Sequence, residues 1–392
     1  MAATMPTLRQ MLSELIRLPS VSSVDPALDQ GNRAVIERLA QWLDSLGFTI
    51  DIRELPGQPH KANLVATLGS GSEGLVLAGH ADTVPYDVNR WSTDPFQLTE
   101  RDGRLYGLGV SDMKSFFALV LEAVREVRAQ DLRRPLTILA TADEESGMAG
   151  AKALVDDGRP IGRYVLIGEP TGLRPIHLHK GVMMESVRLI GRSGHSSDPG
   201  FGVNALEAMI VALNEILAWR AELQQRYRDT RFRVPEPTLN LGHIHGGDNP
   251  NRICAEAELH FDLRPLPGMD LDELQTQLVE RLERVLAHSA ATLEIRPLFP
   301  GLPPLSTPAD SYILQVAREL TGAEPGAVAF GTEGPFFAAL GMEVVVLGAG
   351  DIDQAHQPDE YLSVDRIAPM IDLLQRFIRR FCLEPPVVGG AG

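Results

Sequence analysis

Short runs apolar on both faces alternate with stretches of helical period along the first 180 or so residues. Residues 33–46 (RAVIERLAQWLDSL) repeat apolar side chains at helical spacing and stop at Gly47, which predicts an amphipathic helix; FTIDIRELP after it reads as a strand. The segments LVLAGH (75–80), LTILATADE (136–144) and YVLIGE (164–169) are aliphatic or β-branched along most of their length, the pattern of central parallel strands. The helical stretches SFFALVLEAVREVRAQ and MAGAKALVDDG separate them. This alternation predicts right-handed crossovers and an α/β fold with a doubly wound, mixed but mostly parallel sheet.

Near residue 183 the pattern changes. MMESVRLIGR alternates like a half-exposed strand, residues 203–227 form a long amphipathic helix, TLNLGHIHGG and CAEAELHFDLRPLP read as strands, and LDELQTQLVERLERVLAHS is a second helix. The implied β-α-β-β-α-β layout predicts a two-layer, ferredoxin-like α+β domain, residues 183–298, inserted into a first domain of residues 1–182 and 299–392. The Pro/Gly-rich LFPGLPPLSTP marks the exit. The first pattern then resumes with SYILQVARELTG as helix and MEVVVLGAG as buried strand. Ser363 is placed to cap the last helix, in which Pro369 predicts a kink or a later start.

A chain of 392 residues fits two domains better than one. Apolar residues at 44% and charged residues at 22% are ordinary for a globular protein and exclude wholesale disorder. The formal charge of −16 argues against nucleic-acid and anionic-membrane partners, which need a basic footprint, and suits a cationic or zwitterionic small molecule. No apolar run approaches the roughly 18 residues of a membrane span. The amphipathic N-terminus lacks the features of a secretory signal. Cys254 and Cys382 are too few for a disulfide framework, so a cytoplasmic protein is expected.

The chemistry gathers at the ends of the apolar runs. His80, Asp112, Glu145, Glu169 and His356 are metal-ligand types placed where a parallel sheet delivers side chains to its carboxyl edge, and Glu144 stands beside Glu145 as a spare acid. One His per metal, one further carboxylate per metal, a shared carboxylate and a base are the parts of a two-metal hydrolase. Asp82, two residues beyond His80 on the same side of an extended chain, is placed to orient its imidazole. Asp112, in the turn GLGVSDMK, suits the shared position, since each of its oxygens can face a different cation. Each residue alone is ordinary, a surface pair, a helix cap or a solvated acid; the combination points to metal. Oxygen and imidazole donors without thiolate suit zinc, with cobalt or manganese also compatible.

The blocks GHADTVP, GLGVSDMK, TADEESG, IGEPTG, GRSGHSSDP and AHQPDEY resemble, in order, the dizinc aminoacylase and carboxypeptidase superfamily. ALDQGN, LNLGHIHGGDNPNRIC and ELHFDLRPLPGM extend the resemblance toward members that free an amino acid from its acyl group. The resemblance implies two divalent metals, zinc or cobalt, one held by His80, Asp112 and Glu169 and the other by Asp112, Glu145 and His356. It implies Glu144 as the base acting on metal-activated hydroxide, and a cis peptide from Asp112 to Met113. It also implies a homodimer formed through the inserted domain, with His195 reaching the partner's site to stabilise the oxyanion. Arg264 and Asn251 are candidates for the substrate carboxylate, with Arg252 behind them because neighbouring strand residues face opposite ways. Glu333 reads as a solvated loop acid with a weaker claim on a substrate ammonium. His177, His179, His243 and His245 are set aside, because the main site already has its ligands. The expected activity is amide hydrolysis of a small acylated amino acid; related deacylases or carboxypeptidases, an inactive binding protein of the same fold and a two-metal phosphoesterase are the rival readings.

Overall fold

In the computed structural model, which describes residues 5–71, 73–158 and 161–385, the all-apolar runs form the centre of a sheet. Leu136–Thr141, Leu75–His80, Tyr164–Ile167 and Glu343–Val346 lie side by side in parallel. Every residue of the first three is buried, as their two-sided apolarity requires. The antiparallel hairpin Thr49–Leu55/Gln58–Leu68 extends one side, and on the other Ile176 pairs antiparallel with Val346. This is the mixed, doubly wound α/β sheet expected from the sequence. Lys114–Val124, the most apolar helix of this unit, packs with Leu8–Arg17 and Ile367–Ile378 around Phe116, Phe117, Met370 and Phe377. Each such side chain contributes about 1.5–3 kcal/mol on burial.

The strands are shorter than the apolar runs. Leu136–Thr141 stops before the acids, because residues 142–147 turn and Asp143 adopts a left-handed conformation with φ 60°. Tyr164–Ile167 likewise ends before Glu169. Pro369 is the third residue of Ile367–Ile378, where a missing amide costs nothing, and the 3₁₀ turn Val364–Arg366 precedes it. Ser363 caps that turn by position and makes no side-chain cap bond.

Two compact units are present, Met1–His177 with Thr307–Gly326 and Thr332–Gly392, and Leu178–Ser306 with Ala327–Gly331. Within the second, Thr238–Gly246, Glu256–Arg264, Met183–Ile190 and Thr292–Pro297 form an antiparallel sheet in that order. Strand Glu256–Arg264 alternates strictly between buried and accessible residues, and its buried face packs on helices Ala205–Arg226 and Leu271–Leu286 through Ile216, Trp219, Phe261, Leu278 and Leu282. The chain order of these elements is β-α-β-β-α-β. Among the described residues no helix is long and apolar enough to cross a membrane.

Candidate metal centre

His80 closes strand Leu75–His80 and is 1% exposed. Its Nδ1–H donates to the Asp82 carbonyl oxygen at 3.0 Å, which fixes the ring and leaves Nε2 directed at the acids. Nε2 is 3.0 Å from Asp112 Oδ1 and 3.8 Å from Glu169 Oε1. On the other side, His356 Nε2 is 3.0 Å from Glu145 Oε2 and 3.7 Å from Asp112 Oδ2. The two oxygens of Asp112 therefore face different histidines. Ligand atoms of His80, Asp112 and Glu169 lie within 4.8 Å of one another, as do those of Asp112, Glu145 and His356.

Asp112 is not at the end of a main-sheet strand. It sits in the turn leading into Lys114–Val124, and its position is set by Glu360, a residue the sequence reading missed. Buried Glu360 accepts the amides of Gly109 at 2.8 Å, Ser111 at 2.6 Å and Asp112 at 3.0 Å. Burial raises its pKa to about 8 against the opposing pull of these amides. Its only sequence signal is its place in AHQPDEY. Glu360→Gln exchanges an acceptor oxygen for a donor, so at least one amide loses its partner. The expected result, by denaturant unfolding and metal titration, is a loss of about 1–3 kcal/mol and roughly 10- to 100-fold weaker metal binding. The Asp112–Met113 peptide is cis.

Asp82 reaches His80 through its carbonyl more closely than through its carboxylate, which is 3.7 Å away. That carboxylate instead accepts the amides of Glu144 at 3.3 Å and Glu145 at 3.1 Å. Glu144 and Glu145 thus stand on a turn held by Asp82 and not on a strand end.

The ion-pair partners of Asp112, Glu145 and Glu169 are His80 and His356. Burial first, then repulsion from neighbouring acids, holds Glu144 and Glu169 well above the usual carboxylate range. Burial opposes charge on His80, but Asp112, Glu169 and Asp82 outweigh it and raise its pKa well above normal; Glu145 raises His356 to about 9. So many acids desolvated together call for concentrated positive charge, and the all-oxygen and imidazole donor set fits a pair of divalent cations.

Glu333 departs from expectation. It is 1% exposed rather than solvated, accepts from Thr141 Oγ1 at 2.8 Å, and leaves Oε1 without a partner. Buried in this way, it is not open to a substrate ammonium. Burial raises its pKa to about 7. A raised carboxyl pKa means that the fold is favoured at low pH and loses this contribution as pH climbs from the usual 4.5 toward 7. Metal-free Glu333→Gln is expected to melt above the wild type at about pH 8, with the gap closing near pH 5, as followed by circular dichroism.

In the second unit, His195 is exposed and paired in register with Arg252, while Ser196 donates to the Asn251 carbonyl at 3.1 Å. The structure thus brings His195, Asn251 and Arg252 into one loop cluster. His195 Nδ1 accepts the Ser197 amide at 3.2 Å, so Nε2 carries the proton and is a donor. Arg264 is half-buried with its Nε 2.9 Å from Asp262 Oδ2, and Arg252 pairs with Asp248 at 2.6 Å. Among the described residues the candidate metal groups include none of His177, His179, His243 and His245. His177 and His179 turn Nδ1 to the Thr307 and Lys180 carbonyls.

A parallel-centred α/β sheet carrying two carboxylate–histidine triads that share one aspartate, with a spare buried glutamate beside them, defines a metal-dependent hydrolase. The sequence profile of peptidase family M20/M25/M40 matches residues 76–380. Acetylornithine deacetylases of Erwinia tasmaniensis and Klebsiella pneumoniae are 46% and 47% identical to this chain over 382 residues, 97% of it and 100% of each relative. The crystal structure of a tripeptidase from Staphylococcus aureus superposes with a TM-score of 0.73 at 22% identity, over 95% of this chain and 97% of that one. The chain belongs to peptidase family M20/M25/M40.

Proposed function

We propose that this chain is a cytoplasmic acetylornithine deacetylase, hydrolysing the acetyl amide of N2-acetyl-L-ornithine to L-ornithine and acetate in arginine biosynthesis. The observation that carries the substrate is near-full-length identity of 46–47% to curated enzymes of that name. The site's chemistry agrees: two triads sharing Asp112, with Glu144 buried beside them.

His80, Asp112 and Glu169 would hold one divalent ion and Asp112, Glu145 and His356 the other, zinc being favoured by the donors and cobalt compatible. Such a pair supplies a water whose pKa is lowered to about 7 and polarises the amide carbonyl. Glu144 takes the proton from the attacking water and returns it to the leaving nitrogen of ornithine, a role its raised pKa suits. Asp82 holds the Glu144 and Glu145 amides and the His80 ring. His195, through Nε2–H, donates to the oxyanion as the amide becomes tetrahedral. Arg264 and Asn251 bind the substrate carboxylate, a planar guanidinium matching two oxygens.

We assign His195 to the active site of the second subunit of a homodimer. Mixing His195→Ala with Glu144→Ala protein then restores part of the activity through the one site with both residues intact; no rescue removes the assignment in trans.

A cavity of about 170 Å³ lined in part by Tyr86, Trp91, Leu108 and His356 adjoins one triad at His356 and, if it receives the acyl group, has room for more than an acetyl. It favours, as a second reading, a sister deacylase acting on longer acyl groups. Chelated protein resupplied with zinc or cobalt and assayed on acetylornithine, acetylmethionine and succinyl-diaminopimelate separates the two. Preference for the succinyl compound establishes the second reading, and metal-dependent hydrolysis of none defeats both.

A further inference from the structure

Behind the two acids lies a charged cluster that none of these steps uses. Lys61, in strand Gln58–Leu68, is 4% exposed. Its Nζ lies 2.8 Å from Asp29 Oδ1 and 2.7 Å from Asp143 Oδ1. Ser22 Oγ donates to the same Asp143 oxygen at 2.9 Å and pairs with Ser146 Oγ. Burial opposes charge on Lys61, but the bonds to Asp143 and Asp29 outweigh it and hold the ammonium above its usual range.

Asp143 directly precedes Glu144 and Glu145, and its φ of 60° is one that a non-glycine residue keeps only where its surroundings over-determine it. Those surroundings are visible. The Asp143 carbonyl accepts the amides of Gly147 at 3.0 Å and Met148 at 2.5 Å, the next two amides go to Asp82, and the Asp143 side chain is tied to Lys61 and Ser22. Asp143 is the link between the main sheet's outer hairpin and the turn that carries the acids.

We propose that Lys61 is a positioning residue for the catalytic turn: by anchoring the Asp143 carboxylate it sets the direction in which Glu144 and Glu145 leave the strand. The part concerning Glu144 rests on the base assigned above; the part concerning Glu145 rests only on its place in the metal triad. A buried ion pair made solely for stability is the competing account, and it is a weak one, because apolar side chains at all three positions would avoid desolvating the three charges.

Wild type, Lys61→Met, Lys61→Arg and Asp29→Asn are compared for kcat and KM on acetylornithine and, without substrate, for zinc binding to the metal-free protein by calorimetry. Lys61→Met is expected to lose roughly 10- to 100-fold in kcat with little change in KM, since a displaced base costs chemistry more than binding. One of its two zinc equivalents is expected to bind roughly 10- to 100-fold more weakly. Lys61→Arg recovers part of both, and Asp29→Asn, which leaves the Asp143 contact intact, changes neither. If Lys61→Met does not fold, the triple variant Lys61→Met, Asp29→Asn, Asp143→Asn removes the buried charges with the anchor and is measured instead, with the same losses expected. A folded variant with wild-type kcat and two wild-type zinc affinities overturns the proposal, as does an equal kcat loss in Asp29→Asn. Absence of acetylornithine turnover in the wild type defeats the functional reading alone, and zinc binding still decides whether Lys61 positions Glu145.

Discussion

Glu144→Gln is expected to lower kcat by roughly 10²- to 10⁴-fold while leaving KM and metal content close to wild type. The amide is nearly isosteric with the acid, and although Glu144 also lies within ligand distance of His80 and Glu145, the two triads that share Asp112 keep all their members in the variant, so binding of metal and substrate is preserved while proton transfer is lost. Fold loss is distinguishable by sign. Burial and the neighbouring Glu169 hold the Glu144 carboxyl well above its usual range, so ionised Glu144 opposes the metal-free fold as pH rises. The metal-free variant should therefore melt no lower than wild type at about pH 8. A kcat within a few-fold of wild type, measured at full metal occupancy, would move the base to another group.

Removing the metals is expected to abolish hydrolysis and to leave a protein whose stability falls steadily with pH. Two sets of groups push the same way. Glu144, Glu169 and Glu333, raised by burial, contribute nothing adverse while protonated and oppose folding as they ionise above the usual 4.5. His80, raised by its acidic neighbours, and His356, raised to about 9, favour the fold below their ordinary 6.5 and lose that contribution as pH passes their folded values. Metal-free protein should thus be least stable toward pH 9. Zinc should raise the melting temperature more at about pH 8 than at about pH 6, where protons compete for the same atoms. Zinc at 100 times its dissociation constant adds about 2.7 kcal/mol. Full activity after exhaustive chelation, or a zinc shift that shrinks with rising pH, would sink the two-metal reading.

Much of this architecture is legible from local pattern because its cause is local. Runs such as LVLAGH and YVLI can be satisfied only by burial on both faces, and the 2.0 and 3.6 periods of residues 183–298 allow little besides strands against helices. His80, Asp112, Glu145, Glu169 and His356 could be singled out because each stands beside a punctuated apolar run or a glycine-rich turn. Glu333 reads as a solvated acid from GTEGPFF, because nothing nearby in sequence announces that Thr141, 192 positions away, closes over it. Glu360 bonds to amides about 250 residues distant, and Lys61 looks like an edge lysine in a strand until Asp29 and Asp143 are found on either side of it.

The sequence by itself determined the fold class, the alternation that brings His80 to a strand end and Glu169 just past one, and the adjacency of Glu144 to the candidate ligand Glu145. Hydrophobic period and residue type act over a few positions, and that is all those conclusions require. Only the tertiary structure decided that the two Asp112 oxygens face different histidines, that Asp82 holds the Glu144–Glu145 turn by its carboxylate and His80 by its carbonyl, and that Lys61 anchors Asp143 from behind. Those are matters of direction and of burial shared among distant segments. Hydrogen bonds and desolvated charges are strong only where geometry is complete, and that geometry exists only once the chain has closed.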